Sequence, residues 1–284
     1  KFNRVNYNLG YAFLKQKGYK NVLIWYRKYL SASAGDESKI IHDAWVRLGD
    51  CYFSQRNLTL ALEHYEKGIQ QGGPETDYAL YQSATILGLN GKDERKISTL
   101  GRITKDFPNS PYADDARLES GRSYQNLGRN EEAYATYNGI LLNHPKSKII
   151  PEVMLQMALI KYGQNQDDEA LELYKKIESE YPGTEAAREA RNGMKRIYVE
   201  QGNQDALKPY LSGKPRQAQD SLLWEAAENA YLKGDCNKAI GQLAGYLNEF
   251  PEGTFSLHAL AYKAKCELSL KRIDDAVASY KILI

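Results

Sequence analysis

Residues 107–145 read FPNSPYADDARLESGRSYQNLGRNEEAYATYNGILLNHP, and this stretch decides the fold. It predicts one helical hairpin with both ends punctuated. Ser110 and Pro111 open the first helix as N-cap and first-turn proline, with Asp114 and Asp115 at the positive end of its dipole. Ala113, Ala116, Gly121, Tyr124 and Leu127 then recur at about 3.6-residue spacing, which places them on one helix face. Gly128 ends that helix, because glycine accepts the left-handed cap conformation. Asn130 caps a second helix that buries Ala133, Tyr137, Ile140 and Leu141, and Pro145 stands where a helix cannot continue. Two helices touching through small residues cannot bury their apolar faces alone, so the unit requires neighbours.

The sequence supplies them. From Gly121, Ala133 lies twelve positions on and Tyr137 sixteen on. Gly49, Ala61 and Tyr65 keep that spacing, as do Ala158, Ala170 and Tyr174, and Ala264, Ala276 and Tyr280. Gly10, Val22 and Tyr26 keep it with valine for alanine, and a weaker copy runs Ala84, Lys96, Leu100. Near Ala227 the copy is one residue short, with Trp224, Tyr231, Ala239 and Leu243, and a degenerate copy spans Gly193 to Leu211. The period is 34 to 39 residues. A glycine or alanine facing an alanine lets two helix axes approach, and tyrosine or leucine then fills the gap to the next hairpin.

This pattern resembles the tetratricopeptide repeat family, whose repeats show Trp, Leu, Gly, Tyr, Ala and an aromatic in that order. Trp45, Leu48, Gly49, Tyr52, Ala61 and Tyr65 match it residue by residue. The resemblance implies an all-α solenoid, a right-handed superhelix of about eight hairpins. We expect an N-terminal array over 1–211, with repeats at about 1–30, 41–71, 76–106, 110–144, 150–181 and 185–211, and a C-terminal pair over 221–284. Residues 31–40, SASAGDESKI, form a slack connector after a first hairpin that turns at Gly18. Pro209 and the segment 211–221 predict a shortened helix and a change of direction in the sixth repeat. Beginning at KFNRVNY and stopping at Ile284 within a helix, the chain reads as a piece of a longer protein.

The junctions Phe107-Pro108-Asn109-Ser110, His144-Pro145-Lys146-Ser147 and Tyr181-Pro182-Gly183-Thr184 recur at intervals of 37, and Phe250-Pro251-Glu252-Gly253-Thr254 repeats the theme. They resemble those of bacterial cell-envelope members of the family, such as the outer-membrane barrel-assembly lipoprotein and the periplasmic Tol–Pal coordinating protein. That resemblance implies a periplasmic or outer-membrane-associated location, with the cytoplasm left open.

The chemistry of the chain points away from catalysis. Its formal charge of +2 and lack of basic runs argue against a nucleic-acid surface. No segment approaches about 18 consecutive apolar residues, so no membrane span is expected. His42, His64, His144 and His258 are far apart in sequence, the paired acids stand at helix starts, and no phosphate loop or nucleophile elbow occurs. We therefore expect no enzyme, no cofactor and no metal. Cys51 and Cys266 occupy equivalent first-helix positions and read as small buried residues; Cys236 falls in a turn and reads as the more exposed thiol.

The family resemblance implies that ligands contact the concave face at five positions of each first helix. Those positions give Asp50 and Phe53 in the second repeat, Tyr78 and Tyr81 in the third, and Arg122, Gln125 and Asn126 in the fourth. Tyr162 follows in the fifth, and Trp224 and Glu228 in the seventh; Val46, Leu118 and Leu155 occupy further such positions. The family's carboxylate clamp needs Lys and Asn where the first repeat has Tyr7 and Tyr11, so that activity is not expected. The mixture of tyrosine, tryptophan, arginine and acid suits a peptide or partner helix. The leading expectation is a non-catalytic protein-binding scaffold of unidentified partner. The alternatives are the recognition arm of a larger enzyme or secretion machine, and a self-associating structural protein.

Overall fold

The computed structural model describes residues 3–33 and 38–283. Among them are sixteen α-helices in consecutive hairpins and no strand. In order these are α1 (Asn3–Lys15) with α2 (Tyr19–Ser31), α3 (Ser38–Ser54) with α4 (Leu58–Gln71), α5 (Thr76–Leu89) with α6 (Asp93–Asp106), and α7 (Ala113–Asn126) with α8 (Asn130–Asn143). There follow α9 (Ile150–Gly163) with α10 (Asp167–Glu180), α11 (Glu185–Glu200) with α12 (Gln204–Leu211), α13 (Arg216–Leu232) with α14 (Cys236–Glu249), and α15 (Ser256–Ser269) with α16 (Ile273–Ile282). The chain forms an all-α solenoid of helical hairpins, as its periodicity predicts. Of the expected connector at 31–40, residues 34–37 lie outside the described residues.

One turn geometry closes all these hairpins. Lys17, Arg56, Gly91, Gly128, Asn165, Gly202, Gly234 and Lys271 each adopt a positive φ between 57° and 76° one or two residues past a first helix. In the fourth hairpin the amide of Arg129 then reaches back to the carbonyl of Tyr124 at 2.9 Å, capping the helix end that Gly128 reverses. The first turn is carried by Lys17 rather than Gly18, whose φ is −82°.

Small residues of the first helices are covered by tyrosine. A Cβ built on Gly10, Gly49 or Gly121 would meet the ring of Tyr26, Tyr65 or Tyr137 at 2.9, 2.6 and 2.2 Å. The partner of each glycine is thus the aromatic sixteen residues on, not the small residue twelve on that the sequence spacing suggested. Tyr26, Tyr65 and Tyr137 are fully or almost fully buried. Lying flat against a bare helix backbone, each ring trades water for close packing over its whole face.

The junctions fasten one hairpin to the next. Ser110 donates to Asp77 Oδ2 at 2.6 Å and Ser147 to Asp114 Oδ2 at 2.5 Å, each carboxylate standing near the start of the preceding first helix. Asp220 plays the same part later, accepting from the Thr254 amide at 2.9 Å and from the Tyr246 hydroxyl. Pro151 occupies the corresponding place ahead of Thr184, which instead caps its own helix by accepting from the Ala187 amide. Ser110 and Pro111 are therefore not the cap and first turn of α7: the helix begins at Ala113, and Ser110 spends its hydroxyl on the neighbouring repeat. Arg129 rather than Asn130 occupies the cap position of α8.

The chain divides into two compact units, residues 1–153 and 154–284. In the first, Val22, Tyr26, Tyr29, Ala44, Leu48 and Cys51 form one buried cluster, and Val46, Tyr52, Ala61, Tyr65, Ala79 and Ile86 form the next. In the second, α12 is eight residues long with Pro209 inside it, and α13 packs on α11 as well as on α12. The shortened helix matches the sequence expectation. Cys266 is buried as expected, yet it is bonded to Cys236 in a disulfide with Cα atoms 4.9 Å apart. Cys236 therefore presents no free thiol, and only Cys51 does among the cysteines.

Candidate protein-interaction face

In the first unit, the first helices bring a network of arginine, carboxylate and tyrosine to one face. Arg47 on α3 bonds Asp43 at 3.1 Å, Asp50 at 3.0 Å and Glu75 of the next hairpin. Asp50 also accepts from the Tyr65 and Tyr78 hydroxyls, both at 2.8 Å, and Asp43 accepts from Tyr7 at 2.7 Å. Burial, reinforced by the Asp50 carboxylate, pushes the Tyr65 and Tyr78 hydroxyls well above the usual tyrosine range. Asp50 and Tyr78 consequently hold the second and third hairpins together, leaving little of their hydrogen-bonding capacity for a ligand.

Tyr81 lies differently. Its ring stacks on Tyr112 with centroids 5.1 Å apart and planes at 24°, and Tyr112 also touches Tyr78 at 5.9 Å. Beside Tyr81 a cleft of about 370 Å³ opens between α5, α6 and α7, with Thr85, Gly88 and Leu89 on its wall and Lys96 and Glu119 at its base. Lys96 takes the place of the second-helix alanine found in other repeats. Its stem passes beneath Gly88, where a Cβ would lie 3.1 Å from it, and its ammonium meets Glu119 at 2.7 Å. Burial would raise the Glu119 pKa, but hydrogen bonds from Lys96 and Arg122 outweigh it and hold the carboxyl below its ordinary value. Arg122 bridges Glu119 and Glu152, both at 2.7 Å, so it is half-exposed but already oriented.

The other projected positions vary in availability. Gln125 accepts from Tyr137 at 2.7 Å, and exposed Asn126 reaches Asp93 at 3.3 Å. Phe53 is half-buried against the hydrophobic cluster of its repeat. Val46, Leu118 and Leu155 are buried in the core. In the second unit, Tyr162 donates to Glu200 at 2.6 Å beside Arg196, at the edge of a small recess that also contains Leu159 and Asn192. Trp224 is only 7% exposed, with Phe255 stacked at 5.2 Å and Tyr262 at 5.7 Å. The indole thus shares the buried position of Val46, Leu118 and Leu155 in their repeats, whereas Glu228 on the same helix is half-exposed.

Tyr112, Lys96, Glu119 and Arg47 were not among the projected positions. Lys96 carried a signal in the sequence, being a charged residue where the regular repeats have alanine or valine. Tyr112 belongs to a junction, and its closeness to Tyr81 depends on the path of the loop before α7. Among the described residues no helix is long and apolar enough to cross a membrane.

A stack of hairpins presenting side chains of this kind is a helical-repeat surface for holding other proteins. Residues 41–75, 78–110, 115–147 and 152–184 each match the tetratricopeptide repeat, so four of the hairpins are similar to repeats of that family. Solved structures agree on the fold. The crystal structure of MamA is similar over 65% of this chain and 97% of its own, at 18% identity and a TM-score of 0.50. That of YrrB, described as a TPR protein with an unusual peptide-binding site, is similar over 66% of this chain and 90% of its own, at 19% identity and a TM-score of 0.51. A comparison with curated proteins gives no match. No catalytic family is indicated by these similarities.

Proposed function

We propose that this chain is a non-catalytic scaffold that binds a peptide or a partner helix along the face of its first helices, in a bacterial cell envelope. The observation that carries the reading is the cleft lined by Tyr81, exposed Leu89 and Glu119, with Tyr112 stacked on Tyr81 and Arg122 oriented by its ion pair with Glu119. Tyrosine and arginine that are already held by their neighbours lose little conformational freedom on binding, which favours them at protein contacts. The envelope location draws support from the Cys236–Cys266 disulfide, because such bonds persist in oxidising compartments and are rare in reducing ones. YrrB, with its peptide-binding site, is a precedent for the mode of binding on a similar fold.

Arg122→Ala tests this reading. Its ion pairs are half-exposed, so removing the side chain costs at most about 1 kcal/mol of stability. Recovery of partners from native envelope extracts on the immobilised protein is expected to fall sharply for the variant while its melting temperature barely moves. Undiminished recovery would reject the site. Self-association is a second reading, favoured by Ile273, Val277 and Ile282, which are 55%, 46% and 68% exposed on α16. A concentration-dependent mass in light scattering, lost in Val277→Lys, would select it. The third reading, a recognition arm of a larger machine, predicts that the recovered partners include a catalytic or secretion subunit.

A further inference from the structure

On the other side of the third hairpin, away from the first-helix face, α6 presents Arg95, Ser98, Thr99 and Arg102 at the i, i+3, i+4, i+7 spacing of a single helical stripe. The stripe faces a cleft of about 310 Å³ whose floor is apolar, made by Ile69, Leu80 and Leu87. Ser83 also lines this cleft. It is 2% exposed, and its hydroxyl has no hydrogen-bond partner among the described residues. A buried hydroxyl in a helix usually finds a backbone carbonyl or water, and one left without a partner forfeits the hydrogen bond it made with solvent. Of the two arginines, Arg95 pairs with Glu66 at 2.9 Å across the rim, and Arg102 is exposed without a carboxylate partner among the described residues. The Thr99 hydroxyl donates to the Arg95 carbonyl at 2.8 Å, so the cleft offers one uncompensated guanidinium, the exposed Ser98 hydroxyl and the orphan Ser83 donor above an apolar base.

We propose that this cleft binds an anionic ligand built as a carboxylate on a compact apolar body, with the apolar part on Leu80 and Leu87, the carboxylate on Arg102 and the Ser98 hydroxyl, and Ser83 bonded to the ligand's inner polar edge. The charge arrangement selects an oxyanion over a cation, and the floor selects against a bare inorganic ion. A free small molecule and the C-terminal residue of a partner protein share this chemistry. The site is independent of the first-helix face.

Calorimetric titration of the full chain separates the outcomes, with benzoate as the small-molecule probe, N-acetylphenylalanine as the chain-terminus probe, and inorganic phosphate and benzyl alcohol as controls. At least one of the two carboxylate probes is expected to bind with a dissociation constant on the order of 1 mM. The tighter of them identifies the source. Arg102→Gln is expected to weaken that binding about tenfold, the loss of a charge-assisted hydrogen bond. Ser83→Ala should weaken it without lowering the melting temperature, since its hydroxyl has no internal bond to lose. Arg122→Ala should leave it unchanged, which keeps this test separate from that of the first-helix face. Absence of binding by both carboxylate probes, or binding that Arg102→Gln leaves intact, overturns the proposal. Equal binding of inorganic phosphate overturns the assignment of an apolar body.

Discussion

Gly121→Ala tests the packing rule on which each hairpin depends. In an exposed helix interior the change from glycine to alanine stabilises by about 1 kcal/mol, because alanine restricts the unfolded chain and shields the backbone. At Gly121 the new Cβ would lie 2.2 Å from Tyr137 Cε1 and 2.5 Å from Cζ, against about 3.5–4.0 Å for carbon atoms in contact. The ring must retreat by more than an ångström. Tyr137 is fully buried, and its hydroxyl is held by Gln125 at 2.7 Å, so retreat disturbs both packing and a hydrogen bond. Overpacking of this kind costs about 1–3 kcal/mol, which exceeds the propensity gain across most of its range. A net loss of up to about 2 kcal/mol follows, or a fall of up to roughly 4 °C in melting temperature for a chain of this size. Gly101→Ala is the control: it too is a mid-helix glycine, but nothing lies within 4 Å of its added Cβ. It should raise the melting temperature by about 2 °C. Thermal unfolding followed by circular dichroism reads both. If Gly121→Ala stabilised the protein as much as Gly101→Ala, the close approach of ring to backbone would not be a constraint and the reasoning would fail.

Lys271 adopts φ 60° in the last hairpin turn, a conformation that strains a residue with a Cβ, so Lys271→Gly should stabilise by about 0.5–1 kcal/mol in urea titration. The Cys236–Cys266 bond closes a 30-residue separation, so reduction should cost about 3–4 kcal/mol, and Cys236→Ala should make stability indifferent to reductant. Burial depresses the His64 pKa, despite the hydrogen bond it makes to the Leu60 carbonyl. Protonation then favours the unfolded chain, whose histidine titrates near 6.5, and stability should fall as pH drops below about 6.5. His64→Gln should show a smaller fall in melting temperature between about pH 7.5 and 5.5 than the parent.

The fold was legible because the sequence states its period repeatedly. Small residue, alanine and tyrosine recur at fixed intervals, and four of the eight hairpin turns carry a glycine at the position of positive φ. What the spacing left open was which neighbour each small residue meets. Both an alanine at twelve and a tyrosine at sixteen lie on the facing helix, and the flat ring rather than the methyl covers Gly121. The disulfide was hidden for a similar reason. Cys236 begins a second helix and Cys266 lies within the next first helix, so their approach depends on how neighbouring hairpins stack. Placement of the site residues shows the reach of register. Tyr81 lines an open cleft and Arg122 pairs with Glu119 of its lining, but Asp50 and Tyr78 are engaged by Arg47, Tyr65 and each other, residues of three separate helices. Trp224 lies inward, as do Val46, Leu118 and Leu155 at the same position three residues before the small residue of their repeats, so that position belongs to the core rather than to the open face.

The central claim is that partners dock on the face of the first helices. Photo-crosslinking in the native cells tests it most directly, with a photoreactive amino acid placed at Tyr81 or Asn126 on that face and, for comparison, at Asn138 or Lys175, both exposed on second helices. The account predicts discrete crosslinked partners from Tyr81 and Asn126 and none from Asn138 and Lys175. Crosslinks of equal yield from all four positions, or from the second helices alone, would contradict it.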